Sequence, residues 1–327
     1  MLRLPWSPRR PDTQKPSLSL ALQGGGAHGA YTWGVLDRLL EAGIRIEGIS
    51  GTSAGAMNAV ALAHGWTAGG ADGARAALAD FWQAVGDSVP FHVELLNSLN
   101  STTDGALPTP MNVMMGFMRL FSPYQLNPFE LNPLRDVVRA QFDFERLRRD
   151  CPLKLFIAAT TVRTGKVRLF HTAELSEAAL LASACLPTLH HAVEIDGEHY
   201  WDGGFTANPA IYPLLYECTA PDILMVLLNP LQRDDAPRSA EDISARSMEL
   251  GFSTTFLREM RMIAHARQHI AETAGWLPLG RLERKLVGQR FHQIRAAPRV
   301  DDLRDACLVL QVELRVAGDA GREVGRQ

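Results

Sequence analysis

The 327-residue sequence predicts a three-layer α/β/α domain with a mainly parallel central sheet, followed by a helical C-terminal extension. Three observations predict it. Short strand-like segments alternate with helix-length segments from Ser17 onward, the pattern of a parallel sheet covered on both faces. Glycine-rich turns stand where strand gives way to helix, at 24–26 and again at 51–55. A hydrophobic content of 46% supplies the core that such a sheet needs.

Residues 1–16 carry Arg3, Arg9, Arg10 and Lys15 between Pro5, Pro8 and Pro11, with no apolar core behind the charges. That is the composition of a flexible tail, not of a secretory leader, and a cytoplasmic location is expected. Ser17–Leu22 alternates polar and apolar residues and reads as the first strand. After Gly24–Gly26 a helical pattern runs through Tyr31, Val35, Leu36 and Leu39 to Gly43. Ile44–Ile49 is the second strand, ending at Gly51, and Ser53 to His64 is a helix of small residues. An irregular insertion follows, with Gly69–Gly70, a helix over Ala74–Val85, and then Phe91–Pro133. Within it, Pro108–Phe121 holds four of the ten methionines and reads either as a helix packed on the core or as a mobile cap over an acyl pocket.

Further strands are expected over Leu153–Thr160, Lys166–His171 and Ile223–Asn229. Arg238–Arg304 reads as mostly helical, and Cys307–Val312 as one more strand. The domain plan is therefore a catalytic unit over 17–230 and a helical extension over 231–327.

A formal charge of −3 gives no case for a nucleic-acid partner. Cys151, Cys185, Cys218 and Cys307 are widely spaced without a C-x-x-C pair, so buried thiols are expected rather than a metal site or disulfides. No apolar run reaches the ~18–20 residues of a membrane-spanning helix.

Gly24-Gly25-Gly26-Ala27-His28-Gly29 matches G-x-G-x-x-G between a strand and a helix, with the acidic Glu47 about 20 residues on. Without a Lys-Ser/Thr ending it is no P-loop. Backbone N–H groups turned outward at a helix start suit the pyrophosphate of a dinucleotide, and equally the oxyanion of an acyl-transfer intermediate. Gly51-Thr52-Ser53-Ala54-Gly55 then fits G-x-S-x-G at a strand-to-helix junction. A nucleophilic serine there must stand on a strained turn, with glycines on either side to avoid collisions. The following helix directs its dipole at the serine and leaves the Ala54 N–H free. The bland alternative is that Ser53 is an ordinary helix cap.

LALQGGGAHGAY followed by GISGTSAGA resembles the opening of the patatin-like phospholipase family. About 150 residues later stands Tyr200-Trp201-Asp202-Gly203-Gly204, similar to the Asp-Gly-Gly turn of that family. Ala182-Ser183-Ala184-Cys185-Leu186-Pro187 before it and Asn208-Pro209 after it extend the likeness, which runs roughly from Ser17 to Leu228. The resemblance implies a Ser–Asp dyad, with Ser53 as nucleophile and Asp202 as general base. It also implies an oxyanion hole from Gly24, Gly25 and Gly26, a lipid acyl ester as substrate, and no cofactor. Gly29, Gly51, Gly55, Gly203 and Gly204 are the other motif glycines. On residue chemistry alone, Asp202-Gly203 is also a common turn pair.

Two other catalytic plans stay open at this level. An α/β-hydrolase triad would take its histidine from His265, His269 or His292, which follow Asp202 in the chain. A Rossmann-type nucleotide-binding protein would use the glycine turn and dispense with Ser53 and Asp202, and a non-catalytic lipid-binding relative is a further alternative. The stretch Arg258–Arg299 holds nine basic residues against three glutamates, with Trp276, Leu277 and Leu279 among them. It suits peripheral contact with a membrane or lipid surface, or else a solvated helical face or a subunit contact.

Overall fold

β1 (Ser17–Leu22) turns Leu20 and Leu22 to one face of the sheet and Ala21 to the other. A single turn of 3-10 helix over Gly26–His28 leads into α1 (Gly29–Glu41), which buries Val35, Leu36 and Leu40. β2 (Arg45–Thr52) and α2 (Ala54–Ser88) follow. The computed structural model describes residues 17–88, 122–233, 236–273 and 279–296. The expected tail over 1–16, the candidate cap over 108–121, Cys307 and the strand proposed for 307–312 lie outside the described residues.

α2 is a helical hairpin. At Gly69 and Gly70 the backbone leaves the helix, Gly70 with φ +62°, a conformation that glycine adopts without cost. The second arm returns along the first, so a Cβ on Gly65 would lie 2.7 Å from Ala77 Cβ. This reversal carries Phe81, Trp82 and Val85 back to the start of the helix, where the site lies.

The chain continues through α3 (Pro123–Leu126), α4 (Pro133–Gln141) and α5 (Phe144–Asp150). β3 (Lys154–Thr161), β4 (Val167–His171), α6 (Glu177–Ser183), β5 (Val193–Ile195) and β6 (Glu198–Asp202) come next. α7 (Tyr212–Glu217), β7 (Asp222–Leu227), α8 (Ala240–Thr273), α9 (Arg281–Gly288) and β8 (Arg290–Arg295) complete the described chain.

The eight strands run in the order β5-β6-β3-β2-β1-β7-β8, with β4 also paired to β3. Pairing is parallel from β3 across to β8 and antiparallel for β4, β5 and β6. Leu155 and Ile157 of β3 and Leu224 and Val226 of β7 pack under α1, α2, α4 and α6. Their alternates Phe156, Ile223, Met225 and Leu227 pack under α7 and α8. The period-2 split of side chains between two helical layers gives the three-layer α/β/α architecture that the alternation of elements predicts.

The strands depart from the sequence reading at three points, and the short helices α4 to α7 were not read from it either. β5 and β6 were not anticipated, being only three and five residues long. β8 lies inside the stretch read as helical and pairs in parallel with β7. The sheet thus takes its outermost strand from beyond residue 230, and the C-terminal extension is not helical alone. β8 carries Arg290, His292 and Arg295 on an edge, where charge is tolerated and even useful against edge pairing, so its apolar pattern is weak. The described basic residues of the stretch are spread over α8, α9 and β8, while Trp276, Leu277 and Arg299 lie outside the described residues. Arg290 pairs with Asp222, Arg267 stands over the Phe291 ring, and Lys285 donates to the Cys218 carbonyl.

Candidate active site

Ser53 stands between the last residue of β2 and the first of α2 with φ +54°, in the left-handed region that side chains avoid. The turn is held from several sides. The Ser53 N–H donates to Ser183 Oγ at 3.0 Å, and Thr52 Oγ1 donates to the Ala207 carbonyl at 2.6 Å. Helix and strand approach so closely that a Cβ on Gly55 would run into the Leu22 carbonyl, and one on Gly51 would come within 2.6 Å of the Gly55 carbonyl. Strain of this kind costs on the order of 1–3 kcal/mol and persists because the surroundings over-determine it.

Sheet register brings Asp202 to Ser53. Thr52 pairs with Ala158, and Asp202 pairs with Ala159, the next residue of β3. β4 takes the opposite edge over the same residues. β6 therefore continues the edge of β3 at the point where β2 leaves it, and Asp202 arrives beside the serine across about 150 residues of chain. Its N–H donates to the Cys185 carbonyl at 2.8 Å, and its own carbonyl accepts from Thr160 Oγ1 at 2.8 Å. The carboxylate accepts from the Gly204 N–H at 2.7 Å. Burial pushes the Asp202 carboxyl up to about 6, and hydrogen bonds from Gly204 and Ser53 offset part of that rise.

The glycine turn lies across the same opening. Gly24 was expected to offer its N–H to the site, but donates it to Asn208 Oδ1 at 2.7 Å. That donor is spent on holding the turn, and Gly24 is corrected from oxyanion donor to anchor. Gly25 and Gly26 have no acceptor for their N–H groups among the described residues. Ala54, as first residue of α2, has no intrahelical acceptor for its own. Gln23 fastens the turn from behind, its Oε1 accepting from the N–H of Leu228 at 2.6 Å and of Asn229 at 2.9 Å. Gln23 was missed in the sequence, although a glutamine closing an apolar strand just before three glycines was its visible sign. Ser183 and Asn208 were visible only as neighbours of the motifs.

These groups open on one cavity of about 760 Å³, a size suited to a large organic ligand. Its wall is mainly apolar, with Met57, Phe81, Trp82, Val85, Leu134, Leu186 and Phe252 around Ser53 and Asp202. His28 lines it too, its Nδ1 3.2 Å from the Gly25 carbonyl.

The alternative catalytic residues fall elsewhere. His265 and His269 are exposed on α8, and His292 Nε2 meets Asp222 Oδ1 at 2.8 Å at the start of β7. None of the three lines the cavity. Glu47, the candidate ribose partner of a nucleotide, lies four residues before Gly51, about 13 Å back along the strand. There it accepts from the N–H groups of Thr219 and Ala220 at 2.8 and 2.6 Å and from Lys154 at 3.2 Å. The three described cysteines are free thiols. Cys185 and Cys218 are buried and Cys151 partly so, and burial pushes Cys185 up to about 11. Among the described residues, no group of three or more His, Cys, Asp or Glu is arranged to hold a metal ion, and no helix is long and apolar enough to cross a membrane.

Fold and site together define a three-layer α/β/α protein with a serine on a strand-to-helix elbow and a glycine turn facing it. The family model of patatin-like phospholipases matches residues 20–215, and the chain belongs to that family. Comparison with curated proteins found no match. Among solved structures the chain is similar to VipD from Legionella pneumophila, at 16% identity and a TM-score of 0.41 over 88% of this chain and 64% of that one. It is also similar to a chain of the heterodimeric ExoU–SpcU complex from the type III secretion system of Pseudomonas aeruginosa. That match has 17% identity and a TM-score of 0.31, over 84% of this chain and 66% of that one. The chain thus spans about two thirds of the length of these structures.

Proposed function

We propose that this protein hydrolyses carboxylic esters of lipids through a Ser53–Asp202 dyad. The observation that carries the reading is the buried Asp202 carboxylate beside Ser53, on a strained elbow at the floor of an apolar cavity. Ser53 Oγ attacks the acyl carbonyl while Asp202 takes its proton, and the leaving alcohol departs with a proton returned from Asp202. Water then attacks the acyl-enzyme by the same route in reverse. A carboxyl held near 6 is a stronger base than an ordinary aspartate, yet stays ionised at neutral pH. The N–H groups of Gly25, Gly26 and Ala54 face the developing oxyanion, aided by the dipole of α2. The apolar wall suits acyl chains, so the substrate class is a lipid acyl ester, phospholipid or lysophospholipid included. No cofactor takes part in this scheme. Contact with a lipid surface follows from the substrate and is part of the proposal.

A fluorophosphonate probe tests the reading, because only an activated serine reacts. Stoichiometric labelling of Ser53, mapped by peptide mass, is expected. Its rate should rise with pH through about 6 and level off above, since Asp202 must be ionised to accept the proton. An unlabelled protein, or a rate flat between pH 4.5 and 8, would sink the dyad.

The glycine turn gives a second expectation. A Cβ on Gly25 would press on Leu228 at 3.1–3.2 Å and shift the turn. Losing one oxyanion donor costs roughly 3 kcal/mol. Gly25→Ala should therefore lower kcat up to about a hundredfold with little change in KM. Unchanged ester turnover beside micromolar binding of NAD, NADP or FAD would instead favour the nucleotide reading.

A further inference from the structure

We infer that Asn58 is a positioning residue, whose carboxamide sets the oxyanion turn against the serine elbow and ties both to the acyl-binding wall; this rests on the dyad reading. Asn58 is fully buried on the first arm of α2, one turn beyond Ala54. Both of its N–H donors and its carbonyl oxygen are engaged. Nδ2 donates to the Gly29 carbonyl and to the Ala54 carbonyl, each at 3.0 Å. Oδ1 accepts from Trp82 Nε1 at 3.0 Å.

The three partners are three parts of the site. Gly29 opens α1 directly after the glycine turn, Ala54 opens α2 directly after Ser53, and Trp82 lines the cavity from the returning arm. They also touch one another: a Cβ on Gly29 would fall 2.7 Å from Ala54 Cβ and 2.9 Å from the Trp82 ring. Packing alone brings these surfaces together without fixing how they slide. A directed hydrogen bond to each fixes that sliding, and buried amides have no water to substitute for a lost partner.

Asn58 touches neither the ester nor the reacting atoms. Its effect is transmitted through the relative placement of two helix starts, one following the oxyanion donors and one following the nucleophile. A displacement of a fraction of an ångström there is felt by the tetrahedral intermediate far more than by the bound ester.

Two variants test this. Asn58→Asp keeps shape and the acceptor for Trp82, but sets a carboxylate against the Gly29 and Ala54 carbonyls. Asn58→Ser retains a hydroxyl able to reach the Ala54 carbonyl and loses the reach to Gly29, and serves if the buried carboxylate prevents folding. Turnover of a nitrophenyl ester is measured per active site, counted by the endpoint of fluorophosphonate labelling. Expected is a fall in kcat of about tenfold or more with KM within about threefold. Affinity for a trifluoromethyl ketone, which forms a tetrahedral adduct with serine, should weaken in step with kcat. A merely structural residue would lower the number of active sites and leave per-site kcat and ketone affinity alone. That result, or failure of both variants to fold, would overturn the inference. Absence of labelling in the wild type would instead defeat the dyad reading itself, so the two failures are distinguishable.

Discussion

Ser53→Ala is expected to lower ester turnover by several orders of magnitude, because it removes the hydroxyl that forms the acyl-enzyme in the proposed dyad. The fold should survive. The Ser53 N–H bond to Ser183 is a backbone contact that alanine keeps, and alanine adopts φ +54° with about the strain serine bears. Asp202 loses one of the two hydrogen bonds that hold its carboxyl down, so its pKa should move above 6 in the variant. Ser53→Gly should be equally inactive and more stable than Ser53→Ala by about 1 kcal/mol, since glycine meets no penalty in the left-handed region. Turnover on a short-chain nitrophenyl ester and urea melts check both halves. More than about a tenth of wild-type turnover in Ser53→Ala would end the assignment.

Asp202→Asn should be as inactive as the serine variant and, at alkaline pH, more stable than wild type. The folded state holds the Asp202 proton more tightly than the unfolded chain does, so ionisation of this group opposes folding. The penalty is absent below about pH 4, grows as pH rises toward 6, and is complete above it. A carboxyl raised from 3.8 to about 6 carries about 3 kcal/mol of it, which is a sizeable part of a typical folding free energy. Asparagine keeps an oxygen for the Gly204 N–H and carries no charge. A gain of about 1–3 kcal/mol in urea melts at pH 8, vanishing at pH 4, is expected. Equal stability of the two proteins at pH 8, or retained esterase activity in the variant, would show that the buried carboxylate is not the strained base proposed here. In this view the site holds two unfavourable features, a left-handed serine and a desolvated carboxylate, which the surrounding contacts of Ser183, Thr160, Gly204 and Asn208 sustain.

Much of the fold was legible in the chain because it depends on local rules. The alternation of Ser17–Leu22, the Gly24–Gly26 break and the small-residue helix after Ser53 each declare themselves within a few residues. One helix ending near His64 and another beginning at Ala74 are legible in the sequence, and the structure lengthens them into the two arms of α2, which meet at Gly69–Gly70. Ser53 and Asp202 were legible as chemical types in motifs, as were the glycines whose missing side chains permit close approach. What no local rule reveals is pairing between distant segments. β6 is only five residues long, and its identity as a strand comes from β3, whose free edge it completes. β8 is likewise a strand because β7 offers an open parallel edge. The capture of the Gly24 N–H by Asn208, the bracing of the turn by Gln23, and the bonds of Asn58 to Gly29 and Trp82 join residues between 24 and 206 positions apart. Residue types and turn preferences are properties of the chain read in order. Which donor stays free, and which carboxylate loses its water, are decided only when the sheet closes its register and the helices seal the cavity around it.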